Sequence, residues 1–299
     1  MSTPLSLDLP AGVRRTTVPC ARGTFAVLEA FPAAGACELG TAMLVPGYTG
    51  SKEDFLSILG ELADGGRRVL AIDQRGQYQT PGPDDPAAYD LSELGKDLIA
   101  LMDATGAVHL LGHSLGGLVA REAVLAAKEP PTSFTLMSSG PGALPGDRAG
   151  SLRSFLSAVD DASTAQELTA RVAQIWHASL KPQAIARGAA APVVDFLQDR
   201  MLSNSAVALV AMARALLAAE DRTDDLAKAD VPVFVLYGEN DDAWPTDVQE
   251  DMAALLGARR ECIPGAAHSP AVEAPATTAH ALTDFWDAAE MTVLRAPGY

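Results

Sequence analysis

The sequence predicts an α/β fold: a mostly parallel, doubly wound sheet interrupted by a helical cap insertion. Three observations carry that expectation. Short apolar runs alternate with helix-period stretches between residues 41 and 139; no convincing strand pattern occurs from about Pro141 to Leu226; and the alternation resumes after Asp230. Strands separated by helices at this spacing need crossover connections, which give parallel pairing with both sheet faces covered.

The elements follow in order. Val13 to Phe31 suits two strands rich in Val, Thr and Phe, turned near Ala21–Gly23. Thr41–Pro46 is a short apolar run ending in Pro-Gly, as a buried strand would be. A helix should follow, capped by Ser51 with Asp54 three residues on, its stripe formed by Phe55, Leu59 and Leu62 before Gly65-Gly66 stops it. Arg68–Asp73 reads as a strand, Gln74–Tyr89 as a Pro/Gly/Asp-rich loop, and Leu91, Leu94, Leu98 and Leu101 as one helix stripe. Val108–Gly112 and Ser133–Ser139 are further strands, with a helix from Leu115 to Ala127 between them. Helical patterns then occupy the insertion, two of them carried by Leu152/Phe155/Leu156/Val159 and Leu168/Val172/Ile175/Trp176, with boundaries at Pro192 and Asn204. Val231–Tyr237 and Arg260–Ile263 return to strand, and a last helix covers Pro275 to Met291. Residues 1–140 and 227–299 therefore read as one core domain, and 141–226 as a helical cap overhanging the carboxyl ends of the strands, where open α/β sheets bind ligands.

Composition narrows the partners. The 299 residues carry Lys+Arg 22 against Asp+Glu 38, a net charge of −16. Such a surplus repels phosphate backbones and makes nucleic acid an unsuitable partner. The charge is uneven: residues 141–230 hold 11 acidic and 9 basic residues, a net of −2, which leaves −14 on the remainder. Cys20, Cys37 and Cys262 show no spacing of a zinc site, so no metal or cofactor is expected; a Cys20–Cys37 bridge is left open. MSTPLSLDLP lacks the basic and apolar regions of a secretory signal, and Ala206–Ala219, the most apolar segment, is broken by Arg214 and too short for a bilayer. A soluble, cytoplasmic chain acting on a small molecule, with no membrane partner, is expected.

Gly112-His113-Ser114-Leu115-Gly116 is a G-x-S-x-G sequence joining an apolar strand to a helix. A turn this tight needs glycines on both sides, and it lifts the serine hydroxyl at the strand's carboxyl end before the amides of a helix N-terminus. A serine hydroxyl is a poor nucleophile until a base takes its proton. Of five histidines, His109 lies within a strand and His113 beside the serine, so both suit packing or support; His177 is in the insertion and His280 on the last helix. His268 sits in a Gly/Pro-bounded loop after the final strand, at the sheet edge that Ser114 occupies, and is the candidate base. The base needs an acid to fix its tautomer. The loop after Val231–Tyr237 supplies Glu239, Asp241 and Asp242; spacing favours Asp241, with Asp242 second and Glu239 third.

With these residues in place, the chain resembles the α/β-hydrolase superfamily over nearly its whole length, in particular its capped serine hydrolases of the esterase and lipase type. The order Ser114, Asp241, His268 is that family's order. Asp73-Gln-Arg75-Gly76 is similar to its D-x-R-G-x-G stretch, with Tyr78 where the second glycine is usual. Pro46-Gly47-Tyr48-Thr49-Gly50 occupies the place of its oxyanion loop, and the resemblance implies that the Tyr48 and Leu115 amides form an oxyanion hole. It also implies a catalytic triad and two-step acyl transfer without a cofactor, on an ester, lactone or thioester. Aminopeptidases, carbon–carbon bond hydrolases and cofactor-free perhydrolases share the framework, as would a non-catalytic ligand-binding relative. A serine at the elbow argues against the carboxylate nucleophile of haloalkane dehalogenases and epoxide hydrolases. Phe155, Ile175, Trp176, Phe196 and Leu197 either face the pocket or fill the cap's own core. Tyr48 and Trp176 are the candidate substrate contacts.

Overall fold

A computed structural model describes residues 2–32 and 39–295; Cys37, and with it the Cys20–Cys37 pairing, lies outside the described residues. Among the described residues eight strands form one sheet: β1 (Val13–Cys20), β2 (Gly23–Ala30), β3 (Leu39–Val45), β4 (Arg67–Ile72), β5 (Ala107–His113), β6 (Ser133–Met137), β7 (Val233–Gly238) and β8 (Arg259–Ile263). Their spatial order is β1-β2-β4-β3-β5-β6-β7-β8. β1 pairs antiparallel with β2 and β2 with β4, while β3 to β8 are parallel throughout.

Parallel pairing requires each chain segment to return across a face, and the helices do this. α1 (Leu56–Asp64) links β3 to β4, α2 (Leu91–Thr105) links β4 to β5, and α3 (Leu115–Ala126) links β5 to β6. α10 (Thr246–Leu256) joins β7 to β8, and α12 (Pro275–Arg295) closes the chain behind the short α11 (Pro270–Glu273). Strand alternation divides the apolar residues between two cores. Leu70 and Ile72 pack with α2, α3 and α10 on one face, Val69 and Ala71 with α1 and α12 on the other. Burial on both sides is why these strands read as continuous apolar runs.

Six helices lie between β6 and β7: α4 (Gly146–Val159), α5 (Ala165–Ile175), α6 (Lys181–Ala186), α7 (Ala191–Ser203), α8 (Ala206–Ala218) and α9 (Thr223–Leu226), with a π-helical turn at Trp176–Leu180. They form the cap. Thr164 and Glu167 make a reciprocal capping box at the start of α5, satisfying amides that would otherwise be orphaned. Among the described residues no single helix is long and apolar enough to cross a membrane.

Three local expectations are corrected. Ser51 does not cap a helix: Lys52–Phe55 is a 3-10 turn, Ser51 makes no side-chain cap bond, and α1 begins only at Leu56. The reason is tertiary, because the Asp54 carboxylate turns to the buried Arg200 guanidinium of α7, 2.7 Å away. The final helix runs past Met291 to Arg295, and the His268 loop opens onto α11 rather than directly onto it.

Candidate active site

Ser114 sits between β5 and α3 with φ 54° and ψ −121°, a conformation sparsely populated by L-residues and of the kind that clusters at functional sites. The surroundings dictate it. A Cβ on Gly112 would lie 2.2 Å from the Gly116 carbonyl oxygen, and one on Gly116 would lie 2.5 Å from that of Val45. The chain can therefore turn this sharply only with glycine at both positions. The Ser114 amide donates to the Met137 carbonyl at 3.0 Å, and the Ser139 hydroxyl donates to the Ser114 carbonyl at 2.9 Å, pinning the elbow from β6.

The structure brings Ser114, His268 and Asp241 into one relay. The Ser114 hydroxyl lies 3.1 Å from His268 Nε2, and His268 Nδ1 lies 2.9 Å from Asp241 Oδ1. Asp241 also accepts from the Ala243 amide at 3.0 Å and from Gln249 Nε2 at 3.1 Å. Burial opposes its charge, but the bonds from His268, Ala243 and Gln249 outweigh burial and hold Asp241 below the usual carboxylate range. The other two carboxylates of that loop go elsewhere: Asp242 pairs with Arg148 of α4, and Glu239 accepts from the Gly265 amide.

Among the histidines, His109 bridges Ser133 and Glu290 and His280 pairs with Asp284 on the helix surface. His113 supports the site from below. Its Nε2–H donates to the His268 carbonyl at 2.7 Å, and its ring lies 5.0 Å from that of His268. Burial, together with the nearby His268, pushes the His113 pKa down to about 3, so the ring is neutral and fixed in the tautomer that this bond requires. Neither Gln249 nor the His113–His268 bond has a sequence signature. Each depends on where α10 or the His268 loop docks.

The Tyr48 loop is close to the hydroxyl, since a Cβ on Gly47 would fall 2.9 Å from Ser114 Cβ. Among the described residues neither the Tyr48 nor the Leu115 amide donates to a protein acceptor, which leaves both available to an oxyanion. Tyr48 is held by a 3.1 Å bond from its hydroxyl to the Leu209 carbonyl of α8, and burial pushes its phenol well up, keeping it neutral.

A cavity of about 510 Å³ opens above Ser114 and His268, with Tyr48, Phe155, Ile175 and Met201 in its walls. Trp176 is not among them, which corrects its assignment as a substrate contact. Its ring is fully buried in the cap with Val172, Leu197 and Leu209, and its indole N–H donates to Gln198 at 3.2 Å. Phe196 packs edge-on against Tyr78, while Leu197 belongs to that same cap core. Tyr78, at the position of the missing glycine, has φ 40° and braces the cap through its hydroxyl to Asp199 at 3.0 Å. Among the described residues no group of three or more His, Cys, Asp or Glu side chains could hold a metal ion.

Comparison with known proteins agrees with this architecture. The chain is 40% identical over 90 residues, 29% of its own length and 33% of the relative's, to a protein assigned as the carbamate hydrolase RutD of Variovorax paradoxus (strain S110). It spans 33% or less of the length of the curated relatives it matches. A hydrolase from Pseudomonas aeruginosa PA01 superimposes with a TM-score of 0.68 at 25% identity, over 92% of this chain and 99% of that one. The esterase EaEST from Exiguobacterium antarcticum superimposes with a TM-score of 0.72 at 18% identity, over 92% of this chain and all of that one, a likeness of fold. The alpha/beta hydrolase family model matches residues 42–281, a span that holds the elbow, the acid loop, the histidine loop and the whole cap. The chain belongs to the alpha/beta hydrolase family.

Proposed function

We propose that the protein is a serine hydrolase that cleaves a carboxylic ester-type bond, in an ester, lactone or thioester, through an acyl-enzyme. The observation that carries this reading is the continuous relay from the Ser114 hydroxyl through His268 to the buried, ionised Asp241. As the Ser114 oxygen attacks the substrate carbonyl carbon, its proton passes to His268 Nε2, and Asp241 stabilises the imidazolium. The carbonyl oxygen takes up negative charge facing the Tyr48 and Leu115 amides, donors worth about 10²- to 10³-fold each in rate. The leaving group departs with the proton from His268. Water, deprotonated by the same ring, then releases the acid and restores Ser114.

A fluorophosphonate probe tests the activated nucleophile directly. Labelling should map to Ser114 and vanish in Ser114→Ala. With p-nitrophenyl esters, Ser114→Ala and His268→Ala should each lower kcat by about four orders of magnitude or more, because members of such a unit act together. An unlabelled native protein, or loss in only one of the two variants, overturns the reading.

A further inference from the structure

The proposed hydrolase reading leaves the substrate open, and one side chain of the cavity narrows it. Among the described residues, Arg148 is the one Lys or Arg that lines the cavity shared with Ser114 and His268. It enters from the first turn of α4, on the cap. Its Nη2 donates to Asp242 Oδ1, and among the described residues neither Nε nor Nη1 has a partner. The guanidinium is thus anchored by one nitrogen beside the acid loop, with the rest of its fork unengaged.

A purely structural role explains this poorly. The pair is open to solvent, its side chains 33% and 63% exposed, and exposed pairs of this kind contribute little to stability. The remainder of the wall around it is apolar or neutral, with Leu144, Leu152, Phe155 and Leu216 beside the α4 serines Ser151 and Ser154. Those serine hydroxyls donate back to the carbonyls of Asp147 and Gly150. The cavity's other charged group, Asp54, is already paired with Arg200. Overall charge points the same way: the chain carries −16, of which 141–230 contributes only −2, so the cap side of the cavity repels an anion less than the core side does.

We propose, building on the hydrolase reading above, that Arg148 is the specificity determinant for substrates that carry a free carboxylate besides the scissile bond. The remaining N–H of Nη2 and an N–H of a neighbouring guanidinium nitrogen donate to the two carboxylate oxygens side by side, a geometry that Lys cannot reproduce in full. Asp242 acts as a positioning residue: it holds the guanidinium by one N–H of Nη2 and leaves the other N–H of that nitrogen to the substrate.

The test separates recognition from turnover. In Ser114→Ala protein, which keeps the cavity but cannot react, calorimetry compares monomethyl glutarate with dimethyl glutarate. The monoanion should bind at least tenfold more tightly. Adding Arg148→Gln should abolish that ratio, and Arg148→Lys should restore part of it. Equal affinities for the two esters, or equal weakening of both by Arg148→Gln, overturns the proposal, since a mere tie between cap and core would affect the neutral and anionic ligands alike. Turnover of either ester by the native protein is read separately. Its absence counts against the hydrolase reading while leaving the binding comparison decisive for Arg148.

Discussion

His113 has a function that its position beside the elbow only hints at. Its ring is buried and neutral, donating to the backbone of the loop that carries His268. The unfolded side chain titrates near 6.5 and the folded one near 3. Between those values the unfolded chain takes up a proton that the native state refuses, so His113 costs the protein stability as the pH falls from about 6.5 toward 3. The contribution is isolated by comparison with His113→Gln, whose amide can keep the bond to the His268 carbonyl without titrating. In urea melts, the native protein should lose about 2–3 kcal/mol relative to the variant between pH 7 and pH 4.5, at about 1.4 kcal/mol per pKa unit. A stability difference that stays constant with pH would show that His113 is not held neutral.

Between elements, the cap is fastened by a buried ion pair. Arg200 of α7 meets Asp54 of the 3-10 turn with both side chains almost wholly enclosed, and its Nη2 donates to the Ser2 carbonyl at 2.7 Å. Breaking one side of such a pair strands the other charge in a medium that solvates it poorly. Arg200→Met should therefore destabilise the protein by about 3–5 kcal/mol. Asp54→Asn added to Arg200→Met should recover part of that loss, and a double-mutant cycle in denaturant measures the coupling. Additive effects would show that the two groups do not depend on one another. This pairing also explains why Ser51 and Asp54 defeat the capping pattern they spell: a local cap is worth about 1 kcal/mol, less than satisfying a buried guanidinium.

Across the whole molecule the cap is not uniform. α8 contributes Val207, Ala208, Met212, Ala213 and Leu216 to the same apolar cluster as β3–β7, so it belongs physically to the main core. α5 buries only Val172, α6 only Ala184, and the π-helical turn between them only Trp176. Segments with few buried apolar contacts open at lower free energy than those tied into the core. Hydrogen exchange followed by mass spectrometry should show residues 165–186 exchanging well before 206–218 and before the central strands. Exchange of both cap segments at the rate of the sheet would mean that the cap opens only on global unfolding.

The sequence by itself determined the order of elements, the two-sided burial of the strands and the strand-end positions of Ser114, Asp241 and His268. These follow from local periodicity, from glycines that only a tight turn requires, and from the rule that loops after parallel strands gather at one edge. Asp241 could be ranked above Asp242 and Glu239 by spacing, though only the docked loop shows where each carboxylate goes. Trp176 could not be placed, because an apolar stripe is the same whether it faces a pocket or its own helix partners. Arg148, Gln249, Arg200 and the His113–His268 bond were likewise beyond reach. Their meaning rests on which groups, 94, 8, 146 and 155 positions apart in the chain, the fold presses together. No local pattern encodes that distance.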